Sequence, residues 1–214
     1  MRGKFEEQLS KLNIELIKMG ALCEHCIALA SKSIFDFNDS LVSDVIKIEK
    51  DIDEKEKNIE TLCFYLILTQ QPVATDLRFI SSALKLISDL ERIGDQANDI
   101  AELSKFIKGT QLENETYLRK MSTAVINMVT QSIEAYVHRD EDLARQVIEM
   151  DDEVDDLFVK MRQEITDCIL LNASNSETYI DYLLICKYYE RIGDHAVNVA
   201  EWVIYSITGK HKGE

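Results

Sequence analysis

Glu91 and Asp95 stand four residues apart in the pentapeptide ERIGD, and Glu190 and Asp194 stand four apart in a second copy of it. On a helix that spacing puts both carboxylates of a pair on one face. Glu49/Asp53 and Asp151/Asp155 repeat the step. Grouped carboxylates support two kinds of chemistry. They can ligate a hard cation such as Mg²⁺, Ca²⁺, Mn²⁺ or ferric iron through oxygen alone, or they can present acid to a basic partner surface. Glu102, 11 residues after Glu91, extends the first stripe by nearly three turns, with Asp99 between them; Asn198 and Glu201 extend the second.

A shared site needs elements that bring the pairs to one height. From a turn near residue 71, Asp53 lies 18 residues back and Glu91 lies 20 forward. Antiparallel helices rise equally per residue, so the two pairs arrive level. Around a turn at 174, Asp155 lies 19 residues back and Asp194 lies 20 forward. Each hairpin thereby gathers four carboxylates. Four such anions repel, and without a cation some are forced to protonate. Gly94 and Gly193, in mid-helix, each cost about 1 kcal/mol against alanine, which implies a close approach to the backbone at both places. Arg92 and Arg191 project about 100° round the helix, towards acids of a neighbouring helix.

The whole chain repeats. ERIGDQANDIAEL (91–103) aligns with ERIGDHAVNVAEW (190–202) at an offset of 99. The series Leu9, Leu12, Leu16, Met19, Cys23, Cys26, Ala30 alternates steps of 3 and 4, a heptad seam. Leu118, Met121, Val125, Met128, Ser132 and Ala135 form a second such series, with Leu118 falling on Leu16 at an offset of 102. A tandem duplication of about a hundred residues follows. FDFNDS (35–40) ends the first helix, with Asn38 or Asp39 as cap of the next. TQQP (69–72) ends the second, with Pro72 expected in the first turn of the third. KGTQLENE (108–115) closes the first unit; HRDED (138–142) and LNASNSE (171–177) divide the second. The expected fold is all-α, two tandem three-helix bundles related by internal pseudo-symmetry over residues 1–108 and 109–214, with six helices of about 25 to 35 residues.

Composition agrees with long helices. Seven Gly and one Pro in 214 residues leave few turns, and 46% hydrophobic residues fill a sizeable core. Five Cys at scattered apolar positions read as buried, reduced thiols, including the Cys23/Cys26 pair, which lacks a second CxxC. No apolar run approaches the roughly 20 residues of a membrane span. The N-terminus has no apolar signal core, so a cytoplasmic location is expected. A formal charge of −15 with no basic block excludes nucleic acid as a partner.

QPVATDLRFISSALKLISDLERIGDQANDIAE (71–102) and YYERIGDHAVNVAEWVIY (188–205) resemble the two signature stretches of the PhoU family. The resemblance covers nearly the whole chain. It implies a cytoplasmic, dimeric, non-enzymatic regulator of phosphate uptake and phosphate-starvation signalling. Such a protein couples the ATPase of the Pst transporter (PstB) to the PhoR sensor kinase and acts negatively when phosphate is plentiful. It also implies metal ions on E/D-x-x-x-D motifs, here Glu49/Asp53, Glu91/Asp95, Asp151/Asp155 and Glu190/Asp194. Their identity stays open among iron, zinc, manganese, magnesium and calcium. Asp99 and Gln96 stand where the second unit has Asn198 and His195, so the two sites are expected to differ in charge and metal preference. His195 points away from Asp194 and reads as a surface or partner contact.

Two other functions fit a carboxylate-rich bundle. A dimetal oxidase of the ferritin type needs Glu-x-x-His, but Leu22, Ala135, Ile192 and Thr208 stand three residues before the four histidines. A phosphoesterase needs a nucleophile or base beside the metal, and no residue here is marked out for that role. A metal-free helical adaptor would use its acid stripes as contact surfaces alone. There is no P-loop or Gly-rich strand-to-helix turn for phosphate.

Overall fold

Heptad seams without β-branched alternation commit the chain to helix, and helices make up nearly all of it. The computed structural model describes residues 2–36, 38–110, 112 and 115–210. Phe37, Gln111, Glu113 and Asn114, which belong to the expected breaks, lie outside the described residues. The elements are α1 (Arg2–Asp36), α2 (Asp39–Gln70), α3 (Ala74–Leu103), α4 (Thr116–His138), α5 (Glu141–Leu171) and α6 (Ser176–Thr208). A short 3₁₀ turn, Ala173–Asn175, precedes α6.

The breaks have local causes. Asn38 caps α2 by accepting from the Ser40 amide at 3.0 Å, and Asp140 caps α5 by accepting from the Leu143 amide at 3.0 Å. Gln71 turns the chain at φ 46°, so Pro72 comes before the α3 cap Val73 and not inside the first turn as expected. Arg139 does the same at φ 54° after α4, which at 23 residues is slightly shorter than expected.

The first three helices pack on one another, as do the last three. The two bundles then meet through α3 on α6, the most extensive contact, and through α1 on α4. Both of these pairs run antiparallel. A four-helix centre results, with α2 and α5 on its flanks. Both seams point inward: from Leu12 to Ala30, and from Leu118 to Ala135, every seam residue is buried, and Leu9 packs partly buried against the same core. All five cysteines are free and buried. Burial pushes the Cys26 and Cys63 thiols up to about 12, so they remain protonated and act as small apolar residues.

One polar node crosses this interior. Ser31 of α1 donates to the Ile27 carbonyl at 2.7 Å and accepts from Ser122 of α4 at 2.5 Å and Tyr189 of α6 at 2.6 Å. Its three helices belong to both bundles, so the bonds fix how one bundle sits on the other. Removing a buried partner costs about 1–2 kcal/mol. Tyr189→Phe is expected to lower unfolding stability by about that amount in urea titrations; an unchanged midpoint would show that the node contributes nothing.

Candidate metal centre

The eight acids come from four helices, and packing decides that they meet. Ile52 on α2 presses its side chain against Gly94 on α3, where a Cβ would sit 3.0 Å from Ile52 Cδ1. That contact places residues 49–56 of α2 beside 88–95 of α3; Ser88 also donates to Glu56 at 3.1 Å. The carboxylates follow the backbone. Burial first, then Asp53 on its own helix and Asp95 across the hairpin, raises the Glu49 carboxyl above the usual range. Glu91 is raised by burial and Asp95, with smaller contributions from Glu56 and Asp53, against an opposing effect of Arg92. Glu49, Asp53, Glu91 and Asp95 therefore face one another.

The second hairpin gathers a set of its own. Asp151 is pushed up to about 6 by burial, then by Asp155, Asp194, Glu190 and Asp152. Asp194 is raised by burial and by Glu190, with Asp155 adding and Lys187 opposing. Gly193 makes room here for the carboxylate itself: a Cβ would stand 2.9 Å from Asp151 Oδ1. That oxygen is buried with no hydrogen-bond donor. The two glycines thus serve different neighbours. In the first unit the expected close approach is helix packing by Ile52; in the second it is an acid.

The donor set is all carboxylate, which suits hard cations. Asp151 Oδ1, buried and without a donor, is an oxygen that a cation would satisfy, so the residues fit a metal. Among the described residues no three acid, histidine or cysteine side chains are already drawn to ligand distance around one point. Modest side-chain rotation from both helices of a hairpin would be needed to close a site.

Several residues turn out to have other neighbours. Arg92 does not reach across to a neighbouring helix; it pairs with Asp95 at 2.9 Å and Glu91 at 3.4 Å on its own. Glu102 pairs with Lys105 at 2.6 Å, beyond the end of α3, and Glu201 is half-buried on α6. Asp99 and Asn198 belong to the α3–α6 seam. Asp99 is raised by burial and Asp95, while a hydrogen bond from Tyr188 and the charge of Arg191 oppose the rise. Asn198 donates to Asp89 at 3.1 Å, and His195 Nδ1 lies 2.9 Å from the same oxygen. His195 is therefore a half-buried residue bonded across the α3–α6 seam, and not a wholly outward one. Asp89 and Tyr188 escape the sequence reading, although they occupy the same position at the 99-residue offset, as do Asp99 and Asn198. The duplicated seam contact is acid to phenol on one side and acid to amide on the other. Each has one carboxylate.

Likeness to known proteins spans the whole chain. The PhoU domain matches residues 16–104 and again 118–203. The chain is 37% identical to the phosphate-specific transport system accessory protein PhoU homolog of Clostridium acetobutylicum, over 98% of this chain and 96% of that one. It is 36% identical to the homolog of Aquifex aeolicus, over 99% and 100%. Among solved structures, PhoU from Pseudomonas aeruginosa superposes with a TM-score of 0.90 at 30% identity, covering 96% of this chain and 100% of that one. The phosphate transport system regulatory protein PhoU of Streptococcus pneumoniae gives 0.87 at 25% identity, over 96% and 98%.

Asp151 supplies a pH test of this geometry. Its carboxyl is raised only in the folded chain, so the stability it contributes is fully present below its unfolded value near 3.8 and is lost as pH rises through about 6. Asp151→Asn, a mimic of the protonated form, is expected to stabilise the metal-free protein at pH 7.5 by about 1 kcal/mol after allowance for solvent screening. At pH 4 the two proteins should melt together. A stabilisation equal at both pH values would contradict the crowded-acid geometry.

Proposed function

The chain belongs to the PhoU family, and we propose on that footing that it is a non-enzymatic regulator of phosphate uptake and phosphate-starvation signalling. It couples the ATPase of the Pst transporter to the PhoR sensor kinase and represses when phosphate is plentiful, acting as a cytoplasmic homodimer. The observation that carries this reading is the whole-length likeness to accessory proteins of phosphate-specific transport. Action through protein contact is supported by the hairpin tips, where Leu68, Val73, Leu170 and Leu171 are 67–81% exposed. Residues 61–75, TLCFYLILTQQPVAT, contain no charge in a chain that is 29% charged. Apolar exposure of this kind marks contact surfaces.

We place metal on the two carboxylate sets, Glu49, Asp53, Glu91 and Asp95 in the first hairpin and Asp151, Asp155, Glu190 and Asp194 in the second. A bound cation would supply positive charge to acids that the fold holds together. Apolar packing such as Ile52 on Gly94 holds the helices at fixed spacing, and protonation of the acids opposes loading as pH falls. Glu91→Gln with Asp95→Asn keeps shape while removing two charges. That variant is expected to lose about half of the metal retained after purification without chelator, with its melting temperature little changed because the apolar seams are intact. Undiminished metal would remove the assignment.

The regulatory reading has its own test. Deleting the gene should leave phosphate-starvation genes expressed in rich phosphate, and restored repression should require the transporter ATPase and the kinase. Normal repression in the deletion strain would refute it.

A further inference from the structure

ERIGD stands twice in the chain, so Arg92 and Arg191 begin from the same local sequence, each one residue after a glutamate and three before an aspartate. Both are exposed, yet they go different ways. Arg92 lies back on its own helix, with Nη1 2.9 Å from Asp95 and Nε 3.4 Å from Glu91, so it spans both α3 acids of the first set. Among the described residues Arg191 closes no ion pair with Glu190 or Asp194. The cation at the second set is Lys187, which pairs with Glu190. Its charge is also felt at Asp194, but every neighbour that acts on Asp151 is an acid.

The cause lies across the α3–α6 seam. The two helices run antiparallel, and their register is fixed by the bond from Asn198 to Asp89 and by Arg78, which a Cβ on Gly209 would strike. In that register Asp99 stands level with Tyr188, one turn before Arg191, and Asn198 stands level with Asp89, one turn before Arg92. On the Arg92 side the acid is taken, since Asp89 Oδ1 meets both His195 and Asn198. The residue across is an amide and offers no further charge, so Arg92 falls back on its own pair. On the Arg191 side the residue across is the half-buried Asp99, which accepts from Tyr188 and feels the Arg191 charge. A carboxylate across the seam gives Arg191 an attraction that Arg92 lacks.

We infer that Asp99 is a positioning residue for the second carboxylate set: it keeps Arg191 towards the seam and off Glu190 and Asp194. That set is then the tighter cation site, whereas Arg92 is an internal cation that a metal must displace from the first. The inference rests on the assignment of metal to both sets. The Arg92 side chain is 58% exposed and can pass into water, so the first set is weakened and not closed. One charge difference between the repeats, Asp99 against Asn198, turns a duplicated site into an ordered pair, with the second filling before the first.

The test is a manganese titration of metal-stripped full-length protein, with free Mn²⁺ read by electron paramagnetic resonance. Glu190→Gln with Asp194→Asn leaves the first set to be measured, and Glu91→Gln with Asp95→Asn leaves the second. The second set should bind about tenfold tighter than the first, and Arg92→Gln should tighten the first about tenfold. Arg191→Gln should change the second by less than about twofold, since that arginine is already turned away. Asp99→Asn should weaken the second set about fivefold by releasing Arg191, and adding Arg191→Gln should restore it. Helical content and melting are followed for every variant, to show that the fold persists. Asp99 is nearer the first set along α3, so an Asp99→Asn effect confined to the first set would mean mere loss of an anion and would overturn the inference. Tightening of the second set by Arg191→Gln as large as that of the first by Arg92→Gln would overturn it too. Affinities at both sets that ignore Asp99 and the arginines would remove this inference and leave the metal assignment standing. No manganese at either set of the unaltered protein would remove both.

Discussion

The whole arrangement depends on apolar seams that force like charges together. Burying a side chain such as Ile52 contributes on the order of 2 kcal/mol, and each hairpin buries many. Repulsion between two partly solvated carboxylates costs on the order of 1 kcal/mol. Packing therefore wins, and the acids of α2 and α3, and of α5 and α6, must tolerate one another. The Glu49, Glu91, Asp151 and Asp194 carboxyls are raised first by burial and then by their neighbouring acids, and that second contribution is the electrostatic trace of the imposition. A set of anions held together by the core is a set prepared for a cation.

Duplication does not make the halves alike. Gly94 admits an isoleucine and Gly193 admits a carboxylate. The first set has Arg92 folded back over Glu91 and Asp95, while in the second Lys187 lies 2.5 Å from Glu190. The seam between α3 and α6 is also asymmetric in its residues and balanced in its charge. Asp99 faces Tyr188 where Asn198 faces Asp89. Asn198→Asp would make the repeat strict at this position, but it would replace the amide donor with a second carboxylate against Asp89.

The fold is legible because period and repeat are properties of the chain itself. Heptad seams, a cap at Asn38, the break at HRDED (138–142) and the matched distances from each hairpin turn specify the elements and their level. Pairing of the eight acids follows from the same arithmetic. What stays hidden depends on how one bundle turns against the other. His195 reads as a surface residue because nothing in its own helix reveals that Asp89 waits across the seam. The direction of Arg92 round the helix is known from sequence and points across to a neighbour, whereas its preference for Asp95 depends on rotamer and solvent. The role of Gly193 needs the position of one oxygen.

Anomalous diffraction from crystals grown with manganese tests the central claim most directly, because it locates ions without presuming their ligands. The account predicts an anomalous peak in each hairpin, one bounded by Glu49, Asp53, Glu91 and Asp95 and the other by Asp151, Asp155, Glu190 and Asp194. Manganese bound only at other surface acids, with both hairpin sets left empty at saturating metal, would contradict it.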